Sequence, residues 1–124
     1  MKLEAADPGL RRIERYGAGG FTIAGRTYQG SVVVLPDRVL SWPPADPAAL
    51  APADFADLIE ARGEFEVLLV GTGQNLRPMP GAIRQALSEA GIAHDPMGTG
   101  AACRTYNVLV AEGRRIAAAL LAVD

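Results

Sequence analysis

The chain's one candidate nucleophile is a thiol near the opening of a predicted helix. In Met97-Gly98-Thr99-Gly100-Ala101-Ala102-Cys103-Arg104-Thr105-Tyr106-Asn107 the cysteine falls within about the first turn, where the positive end of the helix dipole and neighbouring Arg104 would favour thiolate. Against that, small residues at 100 to 103 suit close packing on a sheet, and free cysteine is among the most buried residue types. The single imidazole, His94, lies nine positions earlier. A Cys-His dyad would need both side chains exposed and aligned within hydrogen-bond reach; otherwise His94 is a strand-end residue with a structural or solvent partner. Ser31, Ser41 and Ser88 sit in no nucleophile-elbow sequence. The pairs Asp54/Asp57 and Glu64/Glu66 read as helix-start charges and a solvated strand entry. No catalytic residue is assigned.

Binding chemistry has two further candidates. Gly71-Thr72-Gly73 closes a predicted central strand, where open α/β sheets place ligands and where glycine lets backbone N–H groups approach an anion. A dinucleotide fingerprint needs a third glycine and a helix directly behind it. Here Gln74-Asn75-Leu76-Arg77-Pro78-Met79 intervenes, and Lys2, the only lysine, cannot be a phosphate-loop lysine. The glycines either serve a small-ligand or anion site or simply permit the turn. Arg104 and Asn107, one helical turn apart, and Arg114 beyond them either line a cleft or partner surface or fix adjoining loops through carbonyl oxygens. The candidate cleft therefore comprises Gly71, Thr72, Gly73, Thr99, Cys103, Arg104 and Asn107. One cysteine and one histidine provide neither an internal disulfide nor enough ligands for a Cys/His zinc site. No metal or cofactor is expected.

The elements that must position these residues come in two blocks. From Ile13 to Trp42, β-branched and aromatic residues between glycine breaks predict consecutive strands in a meander or hairpin, among them Phe21-Thr22-Ile23, Thr27-Tyr28, Val32-Val33-Val34-Leu35 and Arg38 to Trp42. Pro43-Pro44-Ala45-Asp46-Pro47 is the only linker-like stretch and too short to separate domains. A first helix is predicted over Ala53 to Arg62, with Phe55, Leu58, Ile59 and Arg62 on one stripe and Gly63 as its stop. Glu66 to Gly71 is a continuous apolar run of strand length, the pattern of a strand covered on both faces. A second helix begins near Pro80, carries Ile83, Ala86, Leu87 and Ala90 on one face and ends at Gly91. Ile92-Ala93-His94 reads as a short strand closed by Asp95-Pro96, Thr99 as the N-cap of a third helix ending at Gly113, and Ile116 to Val123 as a last strand. Alternating helix and strand in the C-terminal half predict an α/β sheet covered by helices, with an N-terminal β layer added.

Composition narrows the function classes. With 124 residues, 49% hydrophobic and 21% charged, the chain fits one globular domain over residues 1–124, with 1–10 a loosely ordered N-terminal segment. The formal net charge is −2, and each half of the chain sums to −1, so no basic domain offers the footprint that nucleic acid requires. The longest apolar run, Ile116 to Val123, is too short for an integral membrane segment, and the N-terminus lacks a signal-peptide core. The expected compartment is cytoplasmic.

The string Ala101-Ala102-Cys103-Arg104-Thr105-Tyr106-Asn107-Val108-Leu109, followed by Glu112-Gly113-Arg114-Arg115-Ile116, is specific. With Gly30-Ser31-Val32-Val33, Gly71-Thr72-Gly73 and Gly91-Ile92, it resembles the Mth938-like family of small single-domain proteins over about residues 10 to 123. Eukaryotic relatives in that family include a mitochondrial respiratory complex I assembly factor and an adipogenesis-associated protein. The resemblance implies a three-layer α/β/α arrangement with a mixed central sheet of about five strands and an additional β layer. It supplies no catalytic residues. It implies a non-enzymatic accessory role with protein partners, among them subunits of membrane or respiratory complexes. The alternative from the residues is a small-molecule or anion-binding protein, or an undiscovered enzyme, using the cleft at Gly71-Thr72-Gly73 and the start of the third helix.

Overall fold

A computed structural model describes residues 11–124; the expected loose segment over residues 1–10 lies outside them. The N-terminal block forms a three-stranded antiparallel sheet of β1 (Ile13–Gly17), β2 (Gly20–Ile23) and β3 (Arg26–Gln29), in that spatial order. Gly20 is required there: a Cβ would lie 2.3 Å from the Tyr28 carbonyl oxygen across the pair. β4 (Ser31–Leu35), β5 (Arg38–Trp42), β6 (Val67–Gly71), β7 (His94–Met97) and β8 (Ile116–Leu120) form the larger sheet, ordered β5-β4-β8-β6-β7. β4 pairs antiparallel with β5 and β8, and β6 pairs parallel with β7 and β8, so the sheet is mixed.

Alternation along the central strands sorts the core into two halves. Val33, Leu35, Leu68, Val70, Ala117 and Ala119 face α1 (Ala56–Glu60) and α2 (Gly81–Glu89), whose Leu58, Ile83 and Leu87 pack there with Phe55 and Trp42. Val32, Val34, Leu69, Ile116, Ala118 and Leu120 face the other way, toward Ala102, Cys103 and Tyr106 of α3 (Thr99–Ala111) and Ile13, Phe21 and Ile23 of the small sheet. The architecture is the expected α/β one, three layers around a five-stranded mixed sheet. The added β layer lies beside α3 on a single face. β8, with the sequence Ile-Ala-Ala-Ala-Leu, runs fully buried between β4 and β6.

Several boundaries move. The first helix is one α-turn flanked by 3-10 turns over Pro52–Phe55 and Arg62–Glu64. The Asp54 carbonyl accepts the Trp42 indole N–H at 2.8 Å, and its carboxylate accepts the Ala51 N–H at 2.9 Å, contacts that tie the segment to β5 and tighten its entry. Phe55 and Leu58 are buried as the stripe predicts, whereas Arg62 is exposed and donates to the Ile59 carbonyl. β7 begins at His94 and contains Asp95-Pro96 instead of ending before them. As an edge strand it tolerates proline: the carbonyls of Ala93 and Met97 accept from Leu68 of β6 and from Thr72 just beyond it, so strand alternation turns position 96 outward, where no ladder N–H is needed. The last strand stops at Leu120 instead of Val123. Among the described residues no helix is long and apolar enough to cross a membrane.

Candidate functional site

The crossovers from β6 through α2 and from β7 through α3 run over opposite faces of the sheet. Their diverging loops meet at the carboxyl ends of β6 and β7, where α/β sheets place ligands. In this chain the polar groups around that crevice are bonded to one another. The Thr99 hydroxyl, fully buried, donates to the Leu121 carbonyl at 2.8 Å and accepts the Gly73 N–H at 3.0 Å, while the Thr99 N–H donates to the Gly73 carbonyl at 2.8 Å. Thr72 donates its N–H to the Met97 carbonyl at 2.8 Å, and its hydroxyl donates to the Asn75 carbonyl at 2.8 Å and accepts the Arg77 N–H at 3.0 Å. The Gly71 carbonyl accepts the Leu121 N–H, and a Cβ on Gly71 would lie 3.0 Å from the Thr99 Cα. Glycine at 71 thus serves a close approach of β6 to the opening of α3, and the Gly73 donor an anion would need is occupied.

The expected N-cap is corrected by the same network. Gly98 occupies the cap without a side-chain bond, and Thr99 is the first helical residue, its hydroxyl turned inward to the Gly71-Thr72-Gly73 turn and the end of β8.

Further along α3, Cys103, Arg104 and Asn107 face β1. The Asn107 amide imitates a strand: its oxygen accepts the Ile13 N–H and its nitrogen donates to the Ile13 carbonyl, each at 2.8 Å. Arg104 donates to the Tyr16 hydroxyl at 2.7 Å, and the Tyr16 ring lies over Gly100, where a Cβ would come within 2.9 Å of the phenol oxygen. Cys103 is buried, and that burial pushes its thiol up to about 12; the Arg104 charge only partly opposes it. Desolvation therefore outweighs the neighbouring positive charge that would favour thiolate. His94 places Nδ1 3.2 Å from the Ile92 carbonyl. Arg114 forms two bonds to Glu66, at 3.0 and 3.1 Å, which hold that exposed carboxyl below its usual range.

The predicted cleft accordingly divides in two. Thr72 and Gly73 border a hollow of about 260 Å3 with Gln74, Asn75, Arg77 and the chain's last residues. Cys103, Arg104 and Asn107 line another of about 520 Å3 with Arg12, Ile13, Glu14, Arg15 and Tyr16. Gly71 and Thr99 line neither of the two, being buried between the segments they join. Arg12, Arg15 and Tyr16 escape sequence reasoning because β1 meets α3 only in the folded chain, 88 positions separating Tyr16 from Arg104.

Known proteins share this fold. A family described as "Protein of unknown function (DUF498/DUF598)" matches residues 13–121. The crystal structure of a protein described as an outer membrane protein from Bartonella henselae superposes with a TM-score of 0.88 at 40% identity, covering 94% of this chain and 98% of that one. A Bordetella pertussis protein whose solution structure is described as a Mth938-like domain gives a TM-score of 0.79 at 31% identity, over 98% and 92%. The mouse protein named NADH dehydrogenase [ubiquinone] 1 alpha subcomplex assembly factor 3 is 32% identical over 119 residues, 96% of this chain and 64% of its own length.

Proposed function

We propose that this chain, which belongs to the DUF498/DUF598 family of Mth938-like proteins, is a non-enzymatic accessory protein of the cytoplasm. It acts through protein contacts in the assembly of a membrane or respiratory complex. The observation that carries this reading is the likeness to the mouse assembly factor along 96% of the chain. The chain spans 64% of that factor's length, so the reading concerns the shared domain. The site chemistry supports it: the hydroxyls and amide that sequence analysis singled out are bonded to the chain's own backbone, and the one thiol is buried and held protonated. Small-ligand binding at the Gly71-Thr72-Gly73 turn has less support, since the Gly73 N–H already has its acceptor.

Affinity purification of a tagged copy from its host, with membranes dissolved in mild detergent, tests the proposal. Reproducible enrichment of respiratory or other membrane-complex subunits is expected. A bait that returns alone, combined with a metabolite that raises the melting temperature of wild type but not of Arg104→Ala, would overturn it in favour of small-ligand binding in the hollow that Arg104 lines.

A further inference from the structure

We infer that the hollow between β1 and α3 is the docking site for an extended acidic segment of a protein partner, gripped by Arg12, Arg15 and Arg104. This deepens the accessory-protein reading and rests on it. Charge is the first argument. Among the described residues the hollow is lined by three arginines against one glutamate, a local excess of positive charge on a chain whose formal net charge is −2. That one acid, Glu14, is turned to the β2–β3 turn, where its carboxylate accepts the Gly25 N–H at 2.8 Å. Arg104 is held in place by the Tyr16 hydroxyl, and among the described residues no carboxylate pairs with it. Guanidinium groups suit carboxylates through paired, planar hydrogen bonds.

Shape and composition are the second argument. The hollow runs along β1, an edge strand of the small sheet, so its floor is extended backbone on one side and a helix on the other. Tyr16, which lines the hollow, is 40% exposed, and Val108, one turn beyond Arg104 on α3 and outside that lining, is 57% exposed. Tyrosine and arginine are the residue types that dominate interface energetics.

A second copy of this chain is the competing occupant, since the hollow bordered by Arg38, Asp57, Glu60 and Glu64 carries the opposite balance. That surface is itself concave and cannot fill another hollow. A contact between two different patches of identical chains would also leave one of each open at the ends unless a ring closed.

The test is an NMR titration of the isotope-labelled full chain with capped hexaglutamate at low ionic strength. Saturable shifts confined to residues 12–16 and 103–108 are expected, with affinity weakened about ten-fold or more in Arg12→Glu/Arg15→Glu. Both side chains are exposed, and unmoved α2 resonances in the variant would show that its fold persists. Shifts scattered over the surface, or equal affinity in the variant, would overturn the inference. So would arginine-dependent binding to phosphatidylglycerol vesicles without binding to hexaglutamate, which would make the surface a lipid-headgroup site, or concentration-dependent self-association abolished by the same variant. Running the detergent capture with both chains separates the two claims. A wild-type partner retained by the double variant refutes this docking site and leaves the accessory role standing; a wild-type bait with no partner refutes that role whatever hexaglutamate does.

Discussion

The Thr99 hydroxyl joins three segments that are far apart in the chain: the turn after β6, the opening of α3 and the exit of β8. Replacing it by valine keeps the shape but leaves the buried Leu121 carbonyl without its donor and the Gly73 N–H without its acceptor. Each such loss costs about 1–3 kcal/mol. Thr99→Val is therefore expected to lower the unfolding free energy by about 2–4 kcal/mol in urea titrations, and Thr99→Ser to recover most of it. A valine variant as stable as wild type would show that the hydroxyl's bonds contribute nothing net. Cys103 illustrates the opposite outcome at this scale, a residue chemically suggestive in the sequence whose thiol is buried and held protonated.

At the scale of elements, the outer side of β1 is tied to α3 by Asn107 at Ile13 and by Arg104 at Tyr16. Removing the amide in Asn107→Ala exposes both polar groups of Ile13, so the Ile13 amide should exchange with solvent faster by the equivalent of about 1–2 kcal/mol. Amides in β6 should be unaffected; equal acceleration there would mean that the strand does not open on its own. The elements themselves were legible. Glycine breaks and β-branched runs marked the strands from Phe21 to Trp42, and the Ile83/Leu87 and Ala102/Tyr106 spacings marked the faces that α2 and α3 bury. What the sequence did not disclose is tertiary in origin. The Trp42 indole reaching the Asp54 carbonyl reshapes the first helix, and position 96 accepts proline only because β7 lies at an edge. Of the candidate site, Asn107 was recognisable as a residue that lines a cleft or fixes a neighbour, and it fixes Ile13 while bordering the hollow beside β1. That five of the seven candidates divide between two hollows, with Gly71 and Thr99 lining neither, depends on where β1 docks, which no local pattern encodes.

For the whole molecule, the two titratable side chains buried by α3 set the alkaline limit. Burial raises the Cys103 thiol from its ordinary 9.0 to about 12 and the Tyr106 phenol from 10.0 to about 12. Between those values the folded protein retains protons that the unfolded chain has released, so stability is full below about pH 9 and falls as pH rises toward 12. Urea midpoints measured against pH should show that decline. Cys103→Ala should hold its midpoint level to about pH 10, where the phenol begins to contribute. A wild-type midpoint unchanged through this window would refute the assignment.

Proline at position 96 has a consequence for crowding. A strand at the border of a sheet is a template on which another chain can crystallise, one hydrogen bond at a time. With a ring nitrogen set in the outer row of β7, the template has a missing rung. Recruitment of a sixth strand there is interrupted at the border, so the central sheet of this protein is protected on that flank from growing into a fibre.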